Sequence, residues 1–492
     1  MEQRLYEMLE EYGGRDIVPM HMPGHKRNPV FEMKNPYALD VTEVTGMDNL
    51  HRPEGVIRRL MDRVSGLYGS EQSYLLVNGS TGGILSAVAA CCRHGDQIIA
   101  ARNCHASVYR AIRLLELRPA YIYPESEGGD MDRLGIAGAI PERALEEALK
   151  NNRDVSCVIV TSPTYEGIVS NIRAMAALTR RFGVPLIVDE AHGAHFNWHP
   201  SFPETALEQG ADLVVESLHK TLPALTQTGV LHARFDCVSR KRLEWCLQTF
   251  QSSSPSYVLM AGIDRCFAYI EKEGGGAFGR YVENLSLFRE KMRELRHLYL
   301  FESPRKESSK LVIATDRTRM SGQELAGCLL RKYRIETEMS CGNYCIAMTS
   351  VCDEPEGFRR LAAALLEIDG QFADEESETG ASMRLLDGAE RRMPVWQDPV
   401  RSMYSYEAAD CRSEQVFLSE AEGRVAAEDI YFYPPGVPLL VQGEIFSKLL
   451  IGLLEAGREA GYVIHGVEGE TVSVVEESEK RDEVSKWESY LS

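Results

Sequence analysis

Short apolar runs alternate with longer amphipathic stretches between residues 70 and 235. The runs are rich in Val, Ile and Leu, which is typical of strands buried on both faces of a sheet. They lie at residues 74–77, 97–100, 120–123, 157–160, 185–188, 213–215 and 229–232. Helical periodicity is found between them at residues 82–92, 106–117, 141–151 and 172–182. This alternation predicts βαβ units, and therefore an α/β fold whose large domain holds a mostly parallel seven-stranded sheet.

The pattern beyond residue 235 predicts helices and smaller α+β units. The stretch 240–300 has a helical pattern, with a break expected at the three glycines 274–276. Apolar runs at 311–314 and 345–348 flank a helical stretch at 322–333. This arrangement indicates a small α+β unit.

The polar, acidic stretch 372–380 is typical of a linker. Four parts of the chain are therefore expected. They are an N-terminal arm at 1–40, a large domain at 41–300, a small α+β domain at 301–375 and a C-terminal domain at 383–492.

Composition and charge exclude several classes of partner. The 492 residues carry a net charge of −19 at pH 7, which disfavours nucleic acids and anionic membranes and suits a cationic small substrate. No apolar run approaches the roughly 18 residues that span a bilayer, and the acidic N-terminus is unlike a signal peptide. The 12 cysteines lack the spacing of zinc knuckles. Reduced thiols in a cytoplasmic protein are the simplest interpretation.

One lysine, Lys220, stands in the sequence Ser-Leu-His-Lys directly after the apolar run at 213–215. Burial and a neighbouring cation lower the pKa of a lysine, and a neutral amine is the form that makes a Schiff base with an aldehyde. Taken alone, a surface lysine in a turn is the better interpretation. Because ligands bind at the carboxyl ends of parallel strands, the residues at the other strand ends bear on the choice.

An aspartate and two histidines follow the run at 185–188. A carboxylate at a strand end, as predicted for Asp189, can hold a proton on a heterocyclic nitrogen, although it can also be an ordinary helix cap. The spacing of His192 and His195 resembles that of metal ligands. It lacks the glutamate of the His-Glu-x-x-His motif, so no metal site is expected.

Three more strand ends carry polar groups. The sequence Asn-Gly-Ser-Thr-Gly-Gly at 78–83 offers backbone N–H groups and the hydroxyls of Ser80 and Thr81 to a phosphate, although a plain helix cap looks the same. His105 can stack on a flat ring or merely cap the next helix. Residues 161–167 add hydroxyls at the same edge. Together with Lys220, these groups match pyridoxal 5′-phosphate better than other common cofactors.

Five segments together make the chain resemble the Orn/Lys/Arg decarboxylase family of fold type I pyridoxal-phosphate enzymes, in the short form without an N-terminal wing domain. The resemblance runs from His21 to about Glu444. Ser-x-His-Lys alone recurs across fold type I, whereas the five together are specific. The segments are His-Met-Pro-Gly-His-Lys at 21–26, Asn-Gly-Ser-Thr at 78–81, Asp-Glu-Ala-His-Gly-Ala-His at 189–195, Ser-Leu-His-Lys at 217–220 and Tyr-Pro-Pro-Gly-Val-Pro at 433–438.

The resemblance implies a role for each candidate residue. Lys220 would form the internal aldimine with the cofactor, and Asp189 would pair with its pyridine nitrogen. His105 would stack on the ring, with His192 close to the ring substituents. Either Lys220 or His219 would return a proton to the substrate Cα. The cofactor-binding residues would be Lys220, Asp189, His192, His105, Ser80, Thr81, Gly82, Ser217 and His219.

The phosphate loop departs from the family pattern. Many long members have Thr-Ser-Thr there, whereas in this chain Gly82 and Gly83 follow Thr81. Backbone N–H groups are therefore expected to replace one side-chain contact.

The resemblance also implies a homodimer with shared active sites. Residues 252–256 resemble the stretch that such enzymes present to the partner subunit's phosphate, and Glu43 and Asp48 lie in a segment that approaches the partner's site.

The implied activity is decarboxylation of arginine, lysine or ornithine to agmatine, cadaverine or putrescine, in polyamine biosynthesis. Short family members include arginine and lysine decarboxylases, and arginine is the favoured substrate. A fold type I aminotransferase or other pyridoxal-phosphate lyase would keep most of the same residues. A non-enzymatic cofactor-binding regulator would bind the cofactor without turnover.

Overall fold

A computed structural model describes residues 4–31, 33, 35–125, 127–379, 399–432, 436–459 and 463–477. Its helices are α1 (Leu5–Gly13), α2 (Val56–Tyr68), α3 (Gly79–Cys91), α4 (Ala106–Leu114), α5 (Asp130–Leu134), α6 (Glu142–Asn151), α7 (Ile172–Phe182), α8 (Leu218–Thr221), α9 (Arg240–Phe250), α10 (Tyr257–Met292), α11 (Gly322–Tyr333), α12 (Pro355–Thr379), α13 (Ser405–Asp410) and α14 (Lys448–Glu459). Its strands are β1 (Val18–Met20), β2 (Gln72–Leu76), β3 (Gln97–Ala101), β4 (Arg118–Ile122), β5 (Val155–Thr161), β6 (Leu186–Asp189), β7 (Leu213–Glu216), β8 (Gly229–Ala233), β9 (Tyr299–Leu300), β10 (Lys310–Ala314), β11 (Ile335–Thr337), β12 (Met339–Ser340), β13 (Tyr344–Met348), β14 (Ser413–Phe417), β15 (Ile430–Phe432), β16 (Pro438–Leu440), β17 (Ile464–His465), β18 (Val467–Glu468) and β19 (Thr471–Val475).

The seven apolar runs between residues 70 and 235 form one sheet, as predicted. Its strand order is β2-β8-β7-β6-β5-β3-β4, and β8 runs antiparallel to both of its neighbours while the other pairs are parallel. Central residues such as Ile159, Val188 and Val214 are fully buried, because helices cover both faces of such a sheet. The predicted fold class, a mostly parallel seven-stranded sheet with smaller α+β parts, is confirmed.

The parallel order brings the carboxyl ends of four strands to one edge. Thr161 at the end of β5 pairs with Asp189 at the end of β6, and Asp189 pairs in turn with Val215 of β7. The end of β3 lies beside β5. The side chains that follow these strands therefore share one rim.

Smaller sheets follow the large one. Strands β12-β13-β10-β9 form an antiparallel sheet around the predicted runs at 311–314 and 345–348, and α11 matches the predicted helix at 322–333. In the C-terminal part, β14-β19-β18 and β16-β15-β17 form two three-stranded sheets. Residues 433–435 of the Tyr-Pro-Pro-Gly-Val-Pro motif lie outside the described residues.

The predicted helix break at glycines 274–276 is wrong. Helix α10 runs without interruption from Tyr257 to Met292. Its buried face, which includes Phe267, Phe278 and Tyr281, packs into the main core. This burial outweighs the low helix propensity of the three glycines.

The predicted linker at 372–380 is also wrong as far as the structure describes it. Helix α12 continues to Thr379. The ring of Phe372 is buried and lies 5.9 Å from the ring of His297, and the Asp369 carboxylate accepts backbone N–H bonds from Arg296, His297 and Leu298. The helix therefore continues through most of the stretch that composition assigns to a linker.

The described parts of the chain contain neither a membrane-spanning helix nor a metal-binding cluster. No helix there is both long and apolar enough to cross a membrane, and no group of three or more His, Cys, Asp or Glu side chains is placed to hold a metal ion. All 12 cysteines lie among the described residues, and each is a free thiol.

Candidate active site

A cavity of about 510 Å³ opens at the carboxyl edge of the seven-stranded sheet. Its volume is in the range of small-molecule sites. Eight of the nine predicted cofactor-binding residues line it, namely Ser80, Thr81, His105, Asp189, His192, Ser217, His219 and Lys220. Gly82 does not line it and lies buried in the first turn of α3.

Lys220 reaches the cavity from α8, the short helix that begins directly after β7. Its Nζ lies 2.9 Å from Nε2 of His192. Burial lowers the pKa of Lys220 to about 8, although the nearby Asp189 carboxylate acts in the opposite direction. A substantial neutral fraction of this amine is therefore present near neutral pH, as a nucleophilic lysine requires.

Asp189 is buried at the end of β6, where its Oδ1 accepts a hydrogen bond from the Ala191 backbone N–H at 3.1 Å. Burial raises the pKa of this carboxyl, while the charge of Lys220 and the Ala191 hydrogen bond act to lower it. A buried carboxylate of this kind gains from pairing with a cationic group.

The two histidines of the His-x-x-His sequence point to different partners. His192 contacts Lys220, and burial holds the pKa of its imidazole well below the ordinary value. His195 lies 3.3 Å from the buried carboxylate of Glu307. The pair therefore does not converge on one point. The Tyr165 ring, centred 4.9 Å from that of His192, completes this wall of the cavity.

His105 combines the two roles that the sequence left open. Its Nδ1 accepts the Ser107 backbone N–H and so caps α4, and the imidazole also lines the cavity. Burial, followed by the charge of Lys220, lowers the pKa of His105 to about 4. The ring is therefore neutral at physiological pH.

The start of α3 and the end of β7 together form a polar end of the cavity. Ser80 and Thr81 lie in the first helical turn, whose N–H groups have no partner within the helix. Ser217 is fully buried, and its Oγ has no hydrogen-bond partner among the described residues. These donors suit a phosphate.

His219 has one ring nitrogen already engaged. Its Nδ1 lies 3.0 Å from the Thr228 carbonyl oxygen, which only accepts hydrogen bonds, so Nδ1 carries a proton. Burial lowers the pKa of this ring to about 4. In the neutral ring, Nε2 therefore presents a lone pair rather than a proton.

The segment His-Met-Pro-Gly-His-Lys at 21–26 contacts α8 through a backbone hydrogen bond. The Gly24 N–H donates to the His219 carbonyl at 2.6 Å, and the Ser350 hydroxyl donates to the Gly24 carbonyl at 2.6 Å. The buried Lys26 ammonium donates to the carbonyls of Pro19, His21 and Met348. Most of this segment therefore has a structural role, although Met22 also lines the cavity.

Glu338 is a cavity residue that the sequence interpretation missed. Its carboxylate accepts hydrogen bonds from the Tyr165 hydroxyl at 2.6 Å and from the Met22 N–H at 2.7 Å. It lies between the short strands β11 and β12, where no periodic pattern marks it. Glu166, Tyr344 and Phe432 also line the cavity and were not predicted.

The residues present fit pyridoxal phosphate. Ser217 Oγ and His192 Nδ1 are buried polar atoms that lack a hydrogen-bond partner in the described part of the chain, so a ligand can satisfy them. An amine of lowered pKa, a buried carboxylate and a flat neutral imidazole line the same cavity as Ser217. This is the donor set that the cofactor needs.

Asp48, expected near the partner's active site, forms a cap within its own segment. Its carboxylate accepts backbone N–H bonds from Glu54, Gly55 and Ile57, among others. Glu43 is exposed. The approach of either residue to a partner subunit stays a prediction.

Comparison with known proteins identifies the family. Residues 3–317 match the Orn/Lys/Arg decarboxylase major domain, and residues 396–487 match the C-terminal domain of the same family. An arginine decarboxylase of Bacillus subtilis is 29% identical over 96% of this chain and 97% of its own length. The uncharacterized protein YaaO of the same organism is 33% identical over 91% of this chain and 92% of its own length.

The constitutive lysine decarboxylase of Escherichia coli has a similar structure. Its TM-score is 0.76 at 20% identity, over 96% of this chain and 81% of that one. At this identity the likeness concerns the fold. The family matches cover both the sheet that carries the cavity and the C-terminal part, so the chain belongs to the Orn/Lys/Arg decarboxylase family and is a decarboxylase with the fold of type I pyridoxal-phosphate enzymes.

Proposed function

We propose that this chain removes the α-carboxyl group of a basic amino acid as CO₂, with arginine as the preferred substrate and agmatine as the product. The observation that carries the proposal is Lys220, an amine with a pKa lowered to about 8, beside His192 and in one cavity with the buried Asp189. When bound, pyridoxal phosphate supplies a conjugated cationic ring that accepts the electron pair left by the departing carboxyl group.

The residues of the chain hold that ring and keep it charged. Lys220 would bind the cofactor aldehyde, and Asp189 would keep the pyridine nitrogen protonated. His105, which lines the same cavity, would lie against the ring. The hydroxyls of Ser80, Thr81 and Ser217, with the first N–H groups of α3, hold the phosphate.

Lys220, rather than His219, is the better proton donor to the substrate Cα. The neutral His219 ring uses its proton toward Thr228, so its other nitrogen has none to give. The Lys220 amine, with its pKa lowered to about 8, could accept a proton and return it within the cavity.

The cavity walls suit a cationic substrate. Glu338 and Glu166 both line the cavity, but burial raises the pKa of Glu166, which favours its neutral form. Glu338 is therefore the acid that we expect to bind the distal cation. Arginine is preferred to lysine because the arginine decarboxylase relative is similar over nearly its whole length.

An aminotransferase is the weaker alternative. Such an enzyme usually grips the substrate α-carboxylate with an arginine, and no arginine is found among the described residues that line the cavity. The substrate α-carboxylate leaves more easily as CO₂ when it has no cationic partner and its site partly excludes water.

We further propose that the enzyme acts as a cytoplasmic homodimer. Residues 252–256 lie between α9 and α10, and Ser252, Ser253 and Ser254 are exposed and so accessible to a partner subunit. The product would enter polyamine synthesis.

Release of CO₂ from labelled arginine, lysine and ornithine tests the activity. The purified enzyme with pyridoxal phosphate is expected to release CO₂ from at least one of them, fastest from arginine. Lys220→Ala should lose both turnover and the visible absorbance of the lysine-bound cofactor, whereas the exposed Lys150→Ala should keep both. Normal turnover in Lys220→Ala, or keto-acid formation without CO₂, would overturn the proposal.

A further inference from the structure

Arg102 is a fully buried cation that the reaction itself does not use. It follows β3 and lies one residue before Asn103 and three before His105, both of which line the cavity. Its own side chain is directed to the C-terminal part of the chain, more than 330 residues away in sequence.

The guanidinium group binds several acceptors at once. Nη1 donates to the Pro438 carbonyl at 2.6 Å and to the Tyr109 hydroxyl at 3.0 Å. Nη2 donates to the Leu439 carbonyl at 3.2 Å and to Oε2 of Glu444 at 3.0 Å. The Glu444 carboxylate is itself buried.

Aromatic rings complete this environment. The Arg102 guanidinium carbon lies 5.5 Å from the centre of the Tyr109 ring and 5.4 Å from that of Tyr121. A planar group with forked donors beside two rings is a setting that lysine cannot reproduce. Removing either charge would leave the other buried without its partner, which is strongly unfavourable.

Glu444 is the residue of the C-terminal part that pairs with Arg102. Its Oε2 also accepts the Val441 N–H at 2.7 Å, so it fixes the turn that follows β16. Arg113 of α4 adds a hydrogen bond to the Gln442 side chain at 3.2 Å. The C-terminal strand is therefore held against the β3–α4 corner through both backbone and side-chain contacts.

The strand that is held in this way forms part of the cavity wall. Val437 and Leu439 line the cavity on either side of Pro438, and Phe432 of the neighbouring strand β15 lies on the same wall. Arg102 therefore joins two walls, one with Asn103 and His105 and one with Val437 and Leu439. Their separation limits the space left for a substrate side chain.

We propose that Arg102 and Glu444 are positioning residues that set substrate specificity, because they fix the C-terminal apolar wall of the cavity at one distance from the cofactor-binding wall. This inference rests on the proposed decarboxylase function. Arginine, lysine and ornithine differ chiefly in the length and shape of their cationic ends, so a fixed wall discriminates between them and a loosened one does so less.

The test measures kcat and KM for the three amino acids in Arg102→Lys and in Leu439→Ala. Arg102→Lys keeps the positive charge and loses the paired N–H donors of the guanidinium group. Leu439→Ala changes only one side chain of the C-terminal cavity wall. In both variants, KM for the preferred substrate is expected to rise about tenfold, and the ratio of kcat/KM between substrates to fall by a similar factor. Cofactor affinity, measured by absorbance, should stay within about twofold, since no cofactor contact is altered. The exposed ion pair Arg173–Glu204 supplies the control Arg173→Lys.

Amide hydrogen exchange in the cofactor-free protein supplies a readout that is independent of activity. Arg102→Lys is expected to speed exchange at the Val441 N–H and its neighbours, and Arg173→Lys is not. Unchanged discrimination in Leu439→Ala, or an equal loss of kcat/KM for all three substrates in Arg102→Lys, would overturn the proposal. Absence of CO₂ release from wild-type protein would instead refute the decarboxylase function, whatever the exchange data show.

Discussion

Glu190 is a buried acid immediately after Asp189, and it makes the stability of the enzyme depend on pH. Its Oε1 accepts the Ala206 N–H at 2.9 Å. Burial, followed by the nearby carboxylate of Glu216, raises the pKa of Glu190 well above its ordinary value. The folded protein thus binds this proton more tightly than the unfolded chain. The free energy of unfolding therefore falls as pH rises from the ordinary carboxyl pKa toward the raised one.

Glu190→Gln removes this titration and keeps an oxygen for the Ala206 N–H. The variant is expected to lose less thermal stability than the wild type as pH rises above the ordinary carboxyl pKa. Relative to the wild type, the variant retains about 1.4 kcal/mol of unfolding free energy for each pH unit between the ordinary and the raised pKa of Glu190. Thermal unfolding at a series of pH values, with the same cofactor loading, measures it. Glu204→Gln, at an exposed site, should follow the wild type, and parallel curves for Glu190→Gln would contradict the assignment.

Individual residues were predictable where a strand pattern marked their place. Asp189 and Lys220 follow buried strands whose parallel order brings their ends together, so the sequence locates them by a local rule. Glu338 reaches the same cavity through contacts with residues far away in sequence, the Tyr165 hydroxyl and the Met22 N–H. No local periodicity encodes such a pairing. Gly82 was placed correctly in the helix but on the wrong side of it for a ligand.

At the scale of elements, buried strands were easier to predict than the limits of long helices. Each of the seven strands is a short continuous apolar run that ends at polar residues. The continuity of α10 depends on the packing of its buried face against the core, which composition does not reveal. Glycines lower intrinsic helix propensity. Tertiary burial on one face outweighed that cost in α10. Helix α12 packs into the same core up to Phe372 and continues to Thr379.

Helix α10 gives this interpretation a direct test at its three glycines. A Cβ added at Gly275 would meet no atom within 4 Å, so Gly275→Ala is expected to stabilise the protein by about 1 kcal/mol through helix propensity alone. Gly274 is buried, and a Cβ there would meet the Ile270 side chain at 3.2 Å. Gly274→Ala should therefore gain less, or lose stability. Thermal unfolding of the two variants distinguishes them. Destabilisation by Gly275→Ala would indicate that α10 is interrupted there.

At the scale of the whole molecule, the apolar surface is distributed unevenly. Ten of the twenty exposed large hydrophobic residues in the described chain lie between residues 5 and 47, among them Tyr37 and Val44. Tyr37 is 85% exposed. Apolar surface concentrated in this way marks an interaction site. A second copy of the chain is the partner that the proposed function calls for, since residues 252–256 would then reach the neighbouring cavity.

We expect the active enzyme to be a dimer that forms through this surface. Charges placed in the apolar segment 5–47 are expected to dissociate it. Sedimentation should give the wild type about twice the 55.1 kDa mass of one chain. The double variant Tyr37→Glu/Val44→Glu places two carboxylates in the apolar segment 5–47, so it is expected to sediment as a single chain and to lose turnover. The control Leu449→Glu/Val463→Glu adds the same charge at two equally hydrophobic exposed positions of the C-terminal part and should remain dimeric and active. A wild-type enzyme that turns over as a single chain would show that each cavity is complete by itself, and the segment 5–47 would then need another partner.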